Sequence, residues 1–188
     1  MRISISGTHS AGKTTLLNKM KTDKDFKESG LTFIDGVTRQ VKAMGIPINE
    51  AGADATQLMC LSMDLKNLYQ HVFSNDNKVV ISDRCMLDTY IYTKYLFNHE
   101  KVSQSTFEAI GLIWKNHIHY YDLILMPSHF EVPLSDDGER SVNRSFRDEI
   151  YRLFLEEVNL HSTTLQTLMI GGTVKERMIE LKSIILNK

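Results

Sequence analysis

The sequence predicts an α/β domain in which helices cover both faces of a parallel β-sheet. Two observations carry this prediction: five short apolar segments recur along the chain, and longer stretches with helical spacing separate them. Such an alternation of strands and helices is typical of parallel sheets. The chain has 188 residues, the size of one domain with a substantial core, so we expect a single domain over residues 1–188.

The five predicted strands are short and rich in β-branched or other apolar residues. They cover residues 2–6, 31–35, 78–82, 122–126 and 167–170. The first helix is expected over 12–22, and a longer one over 54–73 with Asp54 as its N-cap. Two more helices are expected between 86 and 119, divided at 98–103, where Ser103 provides a cap signal.

The longer helix, 54–73, carries an apolar stripe at helical spacing. This stripe predicts a face packed against the sheet. Its members are Leu58, Leu61, Leu65, Leu68 and Val72.

A complete phosphate-binding motif follows the first strand. Residues 7–14 read G-T-H-S-A-G-K-T and match G-x-x-x-x-G-K-[ST]. Such a loop turns successive backbone N–H groups toward phosphates, its lysine reaches the outer phosphates, and its Thr hydroxyl ligates Mg²⁺. The expected contacts to ATP are Gly7, His9, Ser10, Ala11, Gly12, Lys13, Thr14 and Thr15. The alternative is a Gly-rich turn that only joins a strand to a helix.

An acid and an arginine, Asp83 and Arg84, follow the third predicted strand. Ligands of open α/β sheets bind beyond the carboxyl ends of the strands, so Asp83 is expected to face the crevice beside the phosphate loop. There it can hold Mg²⁺ or accept a proton from a hydroxyl, and Arg84 can stabilise charge on the transferred phosphoryl group and bind the acceptor. A salt-bridged strand end at the surface is the alternative.

Three arginines suggest a lid at about 128–147. A long irregular stretch, 127–141, leads into Arg140, Arg144 and Arg147, which a helix would place on one face. Arg140 and Arg144 are candidate catalytic residues and Arg147 a candidate ATP contact, because a closing lid excludes water and neutralises charge. The alternative is a solvated helix whose arginines pair with nearby acids.

Two further strand ends carry weaker signals. Asp35 and Arg39, after the second strand, can bind or activate the phosphate acceptor. Alternatively, Asp35 caps the following helix and Arg39 is an ordinary residue on the surface of that helix. The turn after the last strand contains Gly171 and Thr173, and the next helix contains Arg177; close backbone approach there would suit a flat base.

Composition narrows the classes of function. The net charge is -1 and charged residues make up 24% of the chain, so no global polycationic surface is available to grip nucleic acid. No apolar run reaches the length that spans a bilayer, and the two cysteines and the strand at the start of the sequence suggest a cytoplasmic protein without membrane contact.

Taken in order, these motifs resemble those of the P-loop nucleoside and nucleotide kinases, especially the ribosylnicotinamide-kinase-like branch often labelled AAA-type ATPases. The resemblance covers nearly the whole chain. It implies the three-layer P-loop NTPase fold with strand order 2-3-1-4-5, ATP and Mg²⁺ as cofactors, Asp83 near the metal, and the 171–177 segment beside adenine. Members usually carry a glutamate three residues before Arg39; this chain has Gly36 there, and Asp35 can substitute from one position earlier.

The leading hypothesis is therefore an ATP- and Mg²⁺-dependent kinase of a small nucleoside or nucleotide. A kinase of DNA or RNA hydroxyls is a second hypothesis, which the near-neutral charge disfavours. An ATP-switched module that regulates a protein partner is a third, and a homodimer stays open.

Overall fold

Five parallel strands form one sheet in the order β2-β3-β1-β4-β5. A computed structural model describes residues 1–73, 79–128 and 143–186. The strands are β1 (Arg2–Ile5), β2 (Thr32–Ile34), β3 (Val80–Asp83), β4 (Leu123–Pro127) and β5 (Thr167–Ile170). The predicted parallel sheet and its order are confirmed, and strand ends differ from prediction by one or two residues.

The register places the carboxyl ends of the central strands side by side. Ile5 of β1 is paired with Asp83 of β3 and with Leu125 of β4. Because all strands run in one direction, the loops after β1, β2, β3 and β5 lie along one edge of the sheet. This edge brings the phosphate-binding motif next to Asp83.

Eight α-helices are described. They are α1 (Lys13–Thr22), α2 (Lys24–Glu28), α3 (Thr38–Ala43), α4 (Asp54–Val72), α5 (Met86–Asn98), α6 (Gln104–His117), α7 (Arg144–Leu160) and α8 (Val174–Leu186). None of the helices within the described ranges has the length and apolar character needed to cross a membrane.

Alternation along the strands produces two cores, one on each face of the sheet. On β4, Ile124 and Met126 belong to a core shared with α4, α5, α6 and α7, whereas Leu123 and Leu125 belong to one shared with α1, α2 and α8. Successive strand side chains point to opposite faces, which explains this division. The three-layer architecture is thereby confirmed.

Helix α4 departs from prediction at two points. Its N-cap is Ala53, and the carboxylate of Asp54 instead accepts a hydrogen bond from the backbone N–H of Ser103 at 2.9 Å. Leu58, predicted to be buried, is 43% exposed. The other members of the stripe, Leu61, Leu65, Leu68 and Val72, pack in the core as predicted, and the buried face of α4 also includes the polar side chains Gln57 and Asp64.

The break between α5 and α6 is confirmed, with Ser103 as the N-cap accepting from the Thr106 amide at 3.3 Å. The structure describes only part of the predicted lid. Residues 129–142, including Arg140, lie outside the described residues, and α7 begins at Arg144.

Candidate functional site

The phosphate-binding loop has the backbone conformation that its glycines predict. Gly7 has a φ of 129° and Gly12 a φ of 80°, values that L side chains rarely adopt. Ser10 also has a positive φ, 54°. Gly12 is the N-cap of α1 and contributes no side-chain hydrogen bond to the first turn. A helix N-terminus of this kind favours anions.

Lys13 lies over the loop rather than out in solvent. Its ammonium donates to the carbonyl oxygens of Gly7 at 2.8 Å and Thr8 at 2.5 Å, and the residue is 5% exposed. The carbonyl oxygens of the loop therefore hold this buried lysine. The arrangement places positive charge next to the beginning of α1.

Thr14 and Asp83 meet at the adjoining ends of β1 and β3. The Thr14 hydroxyl donates to Asp83 Oδ2 at 2.9 Å. The other carboxylate oxygen, Oδ1, is buried and accepts no hydrogen bond from any described residue. An orphaned buried carboxylate oxygen beside a hydroxyl offers two hard oxygen ligands, the type that Mg²⁺ prefers.

Arg84 is fixed by Asp88, a buried acid that belongs to the motifs of the family resemblance. Its guanidinium donates to Asp88 Oδ1 at 2.9 Å and lies 5.3 Å from the centre of the Tyr92 ring. Burial alone would lower the pKa of Arg84, but Tyr92, Asp88 and Asp83 raise it on balance, so the guanidinium stays charged.

Asp88 joins this arginine to the phosphate loop. Its Oδ1 also accepts from the Gly7 amide at 3.4 Å, and its Oδ2 accepts from the Cys85 amide at 3.2 Å, which caps α5. Asp88 therefore links β3, α5 and the loop after β1. Its position four residues after Arg84 was the available sequence signal, because residues four apart on a helix are neighbours.

The acid that follows β2, Asp35, lies close to the site but forms an ion pair with α1. Asp35 is exposed and pairs with Lys21 of α1 at 2.5 Å. Gly36, not Asp35, packs on Asp83: a Cβ atom at Gly36 would lie 3.0 Å from the Asp83 carbonyl oxygen. The structure therefore has no room for a glutamate at position 36 without moving Asp83.

Helix α7 begins directly on the phosphate loop. The Thr8 hydroxyl donates to the Arg147 carbonyl oxygen at 3.1 Å, and the His9 ring stacks on Phe146 at 4.8 Å between centroids. The arginines predicted to share one face are separated: Arg147 is 8% exposed, whereas the Arg144 side chain is 82% exposed, 3.9 Å from Asp148. The Arg147 side chain also lies 3.9 Å from Asp148, so both arginines approach a nearby acid, as the alternative interpretation predicted.

A cavity of about 490 Å³, the β5–α8 cavity, opens beside the start of α1. It brings Gly12 and Thr15 together with Gly172, Thr173 and Arg177. Gly171 precedes this lining at the end of β5.

Arg177 holds the walls of the β5–α8 cavity together. The guanidinium is buried and donates to the carbonyl oxygens of Gly172, Ala11 and Ser128 at 2.9, 3.1 and 2.9 Å. It thus ties the phosphate loop to the ends of β4 and β5. Its guanidinium donors serve backbone carbonyls in this structure.

A second cavity, the β2–α3 cavity, has about 530 Å³ on the other side of the phosphate loop. Thr14, Asp83 and Arg84 lie on its lining with Asp35 and Arg39. It continues into an inner recess of about 40 Å³ between α3, α4 and α5, and the two share Thr38, Ile48, Asn49 and Arg84.

Several polar residues of the inner recess escaped the sequence motifs. They are Thr56, Gln57, Asp64 and Thr89. Gln57 and Asp64 are seven residues apart, two helical turns, but they are interleaved with leucines and were hidden in an apolar segment. Only the packing of α4 against α5 revealed which face meets the cavity.

These features define a class of protein: a P-loop protein with a nucleoside-kinase-like fold, in which the phosphate loop lies between two cavities. The chain belongs to the AAA domain family, whose model matches residues 2–177. No curated protein sequence matches the chain significantly.

Solved structures support the same fold. NadR protein in complex with NR has a TM-score of 0.73 and 18% identity, over 100% of this chain and 52% of that chain. Deoxyadenosine kinase from M. mycoides, with dCMP and dCDP bound, has a TM-score of 0.68 and 17% identity, over 100% and 99%. NadR with NAD and AMP-PNP has a TM-score of 0.70 and 16% identity, over 100% and 49%. This chain therefore spans about half the length of the NadR chains.

Proposed function

We propose that this protein transfers the γ-phosphoryl group of ATP to a small nucleoside or nucleotide, with Mg²⁺ as the metal. One observation carries the proposal: the Thr14 hydroxyl and the Asp83 carboxylate meet between the phosphate loop and the β2–α3 cavity. That contact puts the residues suited to a metal and to phosphates beside a space large enough for a small acceptor. We also propose that residues 1–188 form one domain.

Thr14 and Asp83 would hold Mg²⁺. The fit rests on the orphaned Asp83 Oδ1 and on the neighbouring hydroxyl, both hard oxygen donors. The ion would neutralise phosphate charge and orient the triphosphate. Lys13 and the N–H groups at the start of α1 would bind the phosphates from the protein side.

The ATP base is assigned to the β5–α8 cavity, whose space adjoins Gly12 and Thr15 of the phosphate loop. Gly171 and Thr173 would approach the base from the loop before α8, and Arg177 would fix that loop. In the family resemblance this segment lies beside adenine, and the NadR structure with AMP-PNP has the same fold.

The acceptor is assigned to the β2–α3 cavity. Arg84 lies on its lining and is held by Asp88, which makes it suited to balancing charge on the transferred group. Arg39 lies on the same lining and can bind an anionic acceptor. Asp35 is paired with Lys21, so activating an acceptor would require that pair to open.

The lid at about 128–147 stays a proposal whose visible part is the start of α7. Arg147 is buried near the phosphate loop, consistent with an ATP contact, and Arg144 is exposed and would have to leave Asp148 to reach the site. Arg140 lies outside the described residues and is retained as a candidate on its sequence position alone. Closure over ATP would exclude water from the transferred group.

The test is Mg-dependent ATP turnover against a panel of acceptors, with product masses measured. The panel contains ribo- and deoxynucleosides, their monophosphates, nicotinamide riboside and short oligonucleotides. A Lys13→Ala variant should lose about 100-fold or more in turnover, because it removes a charge placed for the transition state. Lys182→Ala is the matched control, since Lys182 pairs with Asp23 and Asp25 on the surface.

The outcomes separate the candidate functions. Lys13-dependent phosphorylation of a small compound supports the proposal and identifies the acceptor. Phosphorylation of oligonucleotides alone would replace it with a polynucleotide kinase. Turnover that only a protein partner stimulates would replace it with an ATP-switched module.

A further inference from the structure

Asp64 is a carboxylate buried where an apolar residue would stabilise the fold better. It lies in the middle of α4 and is 7% exposed. Its Oδ2 accepts a hydrogen bond from the Thr89 hydroxyl of α5 at 2.8 Å. No group in the described ranges donates to Oδ1, so the side chain keeps one oxygen for another partner.

The groups around Asp64 do not offset the effect of burial on its pKa. Burial raises the pKa of Asp64 to about 7; the Thr89 hydrogen bond and the charge of Arg84 oppose this effect, and Asp88 adds to it. The Cys60 thiol on the same helix and the Tyr121 hydroxyl are further titratable neighbours. A carboxyl with a strongly raised pKa beside a cavity is typical of functional sites.

Asp64 lies where it can contact a molecule bound in the β2–α3 cavity. It lies on the inner recess together with Thr89, Gln57 and the Tyr92 ring, and the recess opens into the β2–α3 cavity at Arg84. The recess, at about 40 Å³, admits the edge of a planar ring rather than a whole ring. A molecule in the β2–α3 cavity that inserts the edge of a planar ring into the recess beside Arg84 would bring that edge to Asp64.

We propose that Asp64, positioned by Thr89, selects the acceptor by accepting a hydrogen bond from an amino group on its planar base. The inference rests on the proposed kinase function. It assigns the acceptor to the class of nucleosides or nucleotides whose base bears an exocyclic amino group or a carboxamide. Above pH 7, where Asp64 is ionised, bases that present only a carbonyl oxygen at this edge are disfavoured, because two acceptors would then face each other without a proton between them.

Thr89 is a positioning residue in this arrangement. Its hydroxyl donates to Oδ2 and so fixes the side chain of Asp64, which lines the recess. Asp64→Asn keeps an oxygen for Thr89 but turns an N–H₂ group toward the acceptor. This substitution exchanges an acceptor for a donor at nearly constant volume, so it should change preference more than packing.

The experiment uses matched pairs of compounds that differ by an amino group against a carbonyl oxygen. They are adenosine and inosine, cytidine and uridine, with their deoxy forms and monophosphates, and nicotinamide riboside against nicotinic acid riboside. Calorimetric binding without ATP and kcat/KM with Mg-ATP are measured on the full chain. We expect the wild type to prefer one amino member at least tenfold, mainly through KM, and Asp64→Asn to reduce this below about twofold or reverse it.

Two further variants keep the inference testable if Asp64→Asn folds poorly. Thr89→Val should weaken the amino preference, and Thr89→Ser should retain it, because serine keeps the hydroxyl. Ser62→Ala, on the exposed face of the same helix, is the control and should leave the preference unchanged.

Loss of the role of Asp64 and loss of the kinase function give different experimental results. Phosphorylation with equal efficiency for amino and carbonyl members overturns the role of Asp64 and leaves the kinase intact. Selective binding of amino compounds without phosphorylation supports Asp64 and overturns the kinase. Neither binding nor phosphorylation of any pair overturns both.

Discussion

Thr14 donates a hydrogen bond to Asp83 across 69 positions of sequence, joining the start of α1 to the end of β3. The contact exists because β1 and β3 are adjacent and parallel, so that both residues reach the same edge of the sheet. It leaves Asp83 Oδ1 buried without a described partner. A fold without a ligand gains little from such an arrangement, which is why we place the metal there.

Asp83→Asn tests the charge at this contact. The amide oxygen still accepts from Thr14, but the negative charge is lost. We expect kcat to fall by about 100-fold or more and the Mg²⁺ concentration for half-maximal rate to rise. Steady-state rates across a Mg²⁺ titration measure both. Asp25→Asn, in a surface ion pair with Lys182, should behave as the wild type, and a fully active Asp83→Asn protein would remove Asp83 from the site.

Gly36→Ala tests the packing of the β2–α3 turn on Asp83. The new Cβ would lie 3.0 Å from the Asp83 carbonyl oxygen, so Asp83 must shift by a few tenths of an ångström. We expect at least a tenfold loss of kcat, because phosphoryl transfer depends on positioning. Rates and urea unfolding are measured together.

Gly30→Ala is the matched control for that substitution. Its φ is +69° with open space around the position, so it should lower the free energy of unfolding by about 1 kcal/mol and leave kcat unchanged. Equal losses of kcat in both variants would argue against a specific contact between Gly36 and Asp83.

Arg177→Lys tests the bridge between the phosphate loop and the β5–α8 cavity. One ammonium cannot satisfy carbonyl oxygens at Gly172, Ala11 and Ser128 together, as the planar guanidinium does. We expect the KM for ATP to rise about fivefold or more and the free energy of unfolding to fall by about 1 to 3 kcal/mol. Arg152→Lys, whose arginine pairs with Glu156 on the exposed face of α7, is the control. An unchanged KM would show that the bridge does not shape the ATP site.

Asp64→Asn tests how the buried carboxyl affects the free energy of unfolding as pH changes. The pKa of Asp64 is about 7 in the folded protein against an ordinary 3.8, so the folded state holds its proton more tightly than the unfolded chain. Wild-type stability therefore falls relative to Asp64→Asn as pH rises from about 4 to 7, and it levels off above 7.

The expected difference is about 2 to 3 kcal/mol in the free energy of unfolding between pH 5 and pH 8. Urea midpoints of both proteins at these pH values measure it. Parallel stability curves would show that Asp64 titrates at its ordinary pKa and is better solvated than the structure indicates.

Local sequence determined much of this protein. The glycines at 7 and 12 determined the loop conformation, because only glycine adopts such φ values freely, and apolar runs determined the strands. Ser103 determined where α6 begins. Their order also predicted the sheet topology through the family resemblance, and the match of the AAA domain model is consistent with it.

Tertiary structure decided what depends on distant contacts. The polar face of α4, with Gln57 and Asp64, could not be told from its apolar stripe, because spacing gives a helix's period but not which side meets a cavity. The burial of Arg147 depended on the contact between α7 and the phosphate loop. The sequence by itself thus determined the phosphate loop and the sheet, which local backbone preferences specify. The acceptor side was decided by packing between α3, α4 and α5, which joins residues that no short motif contains.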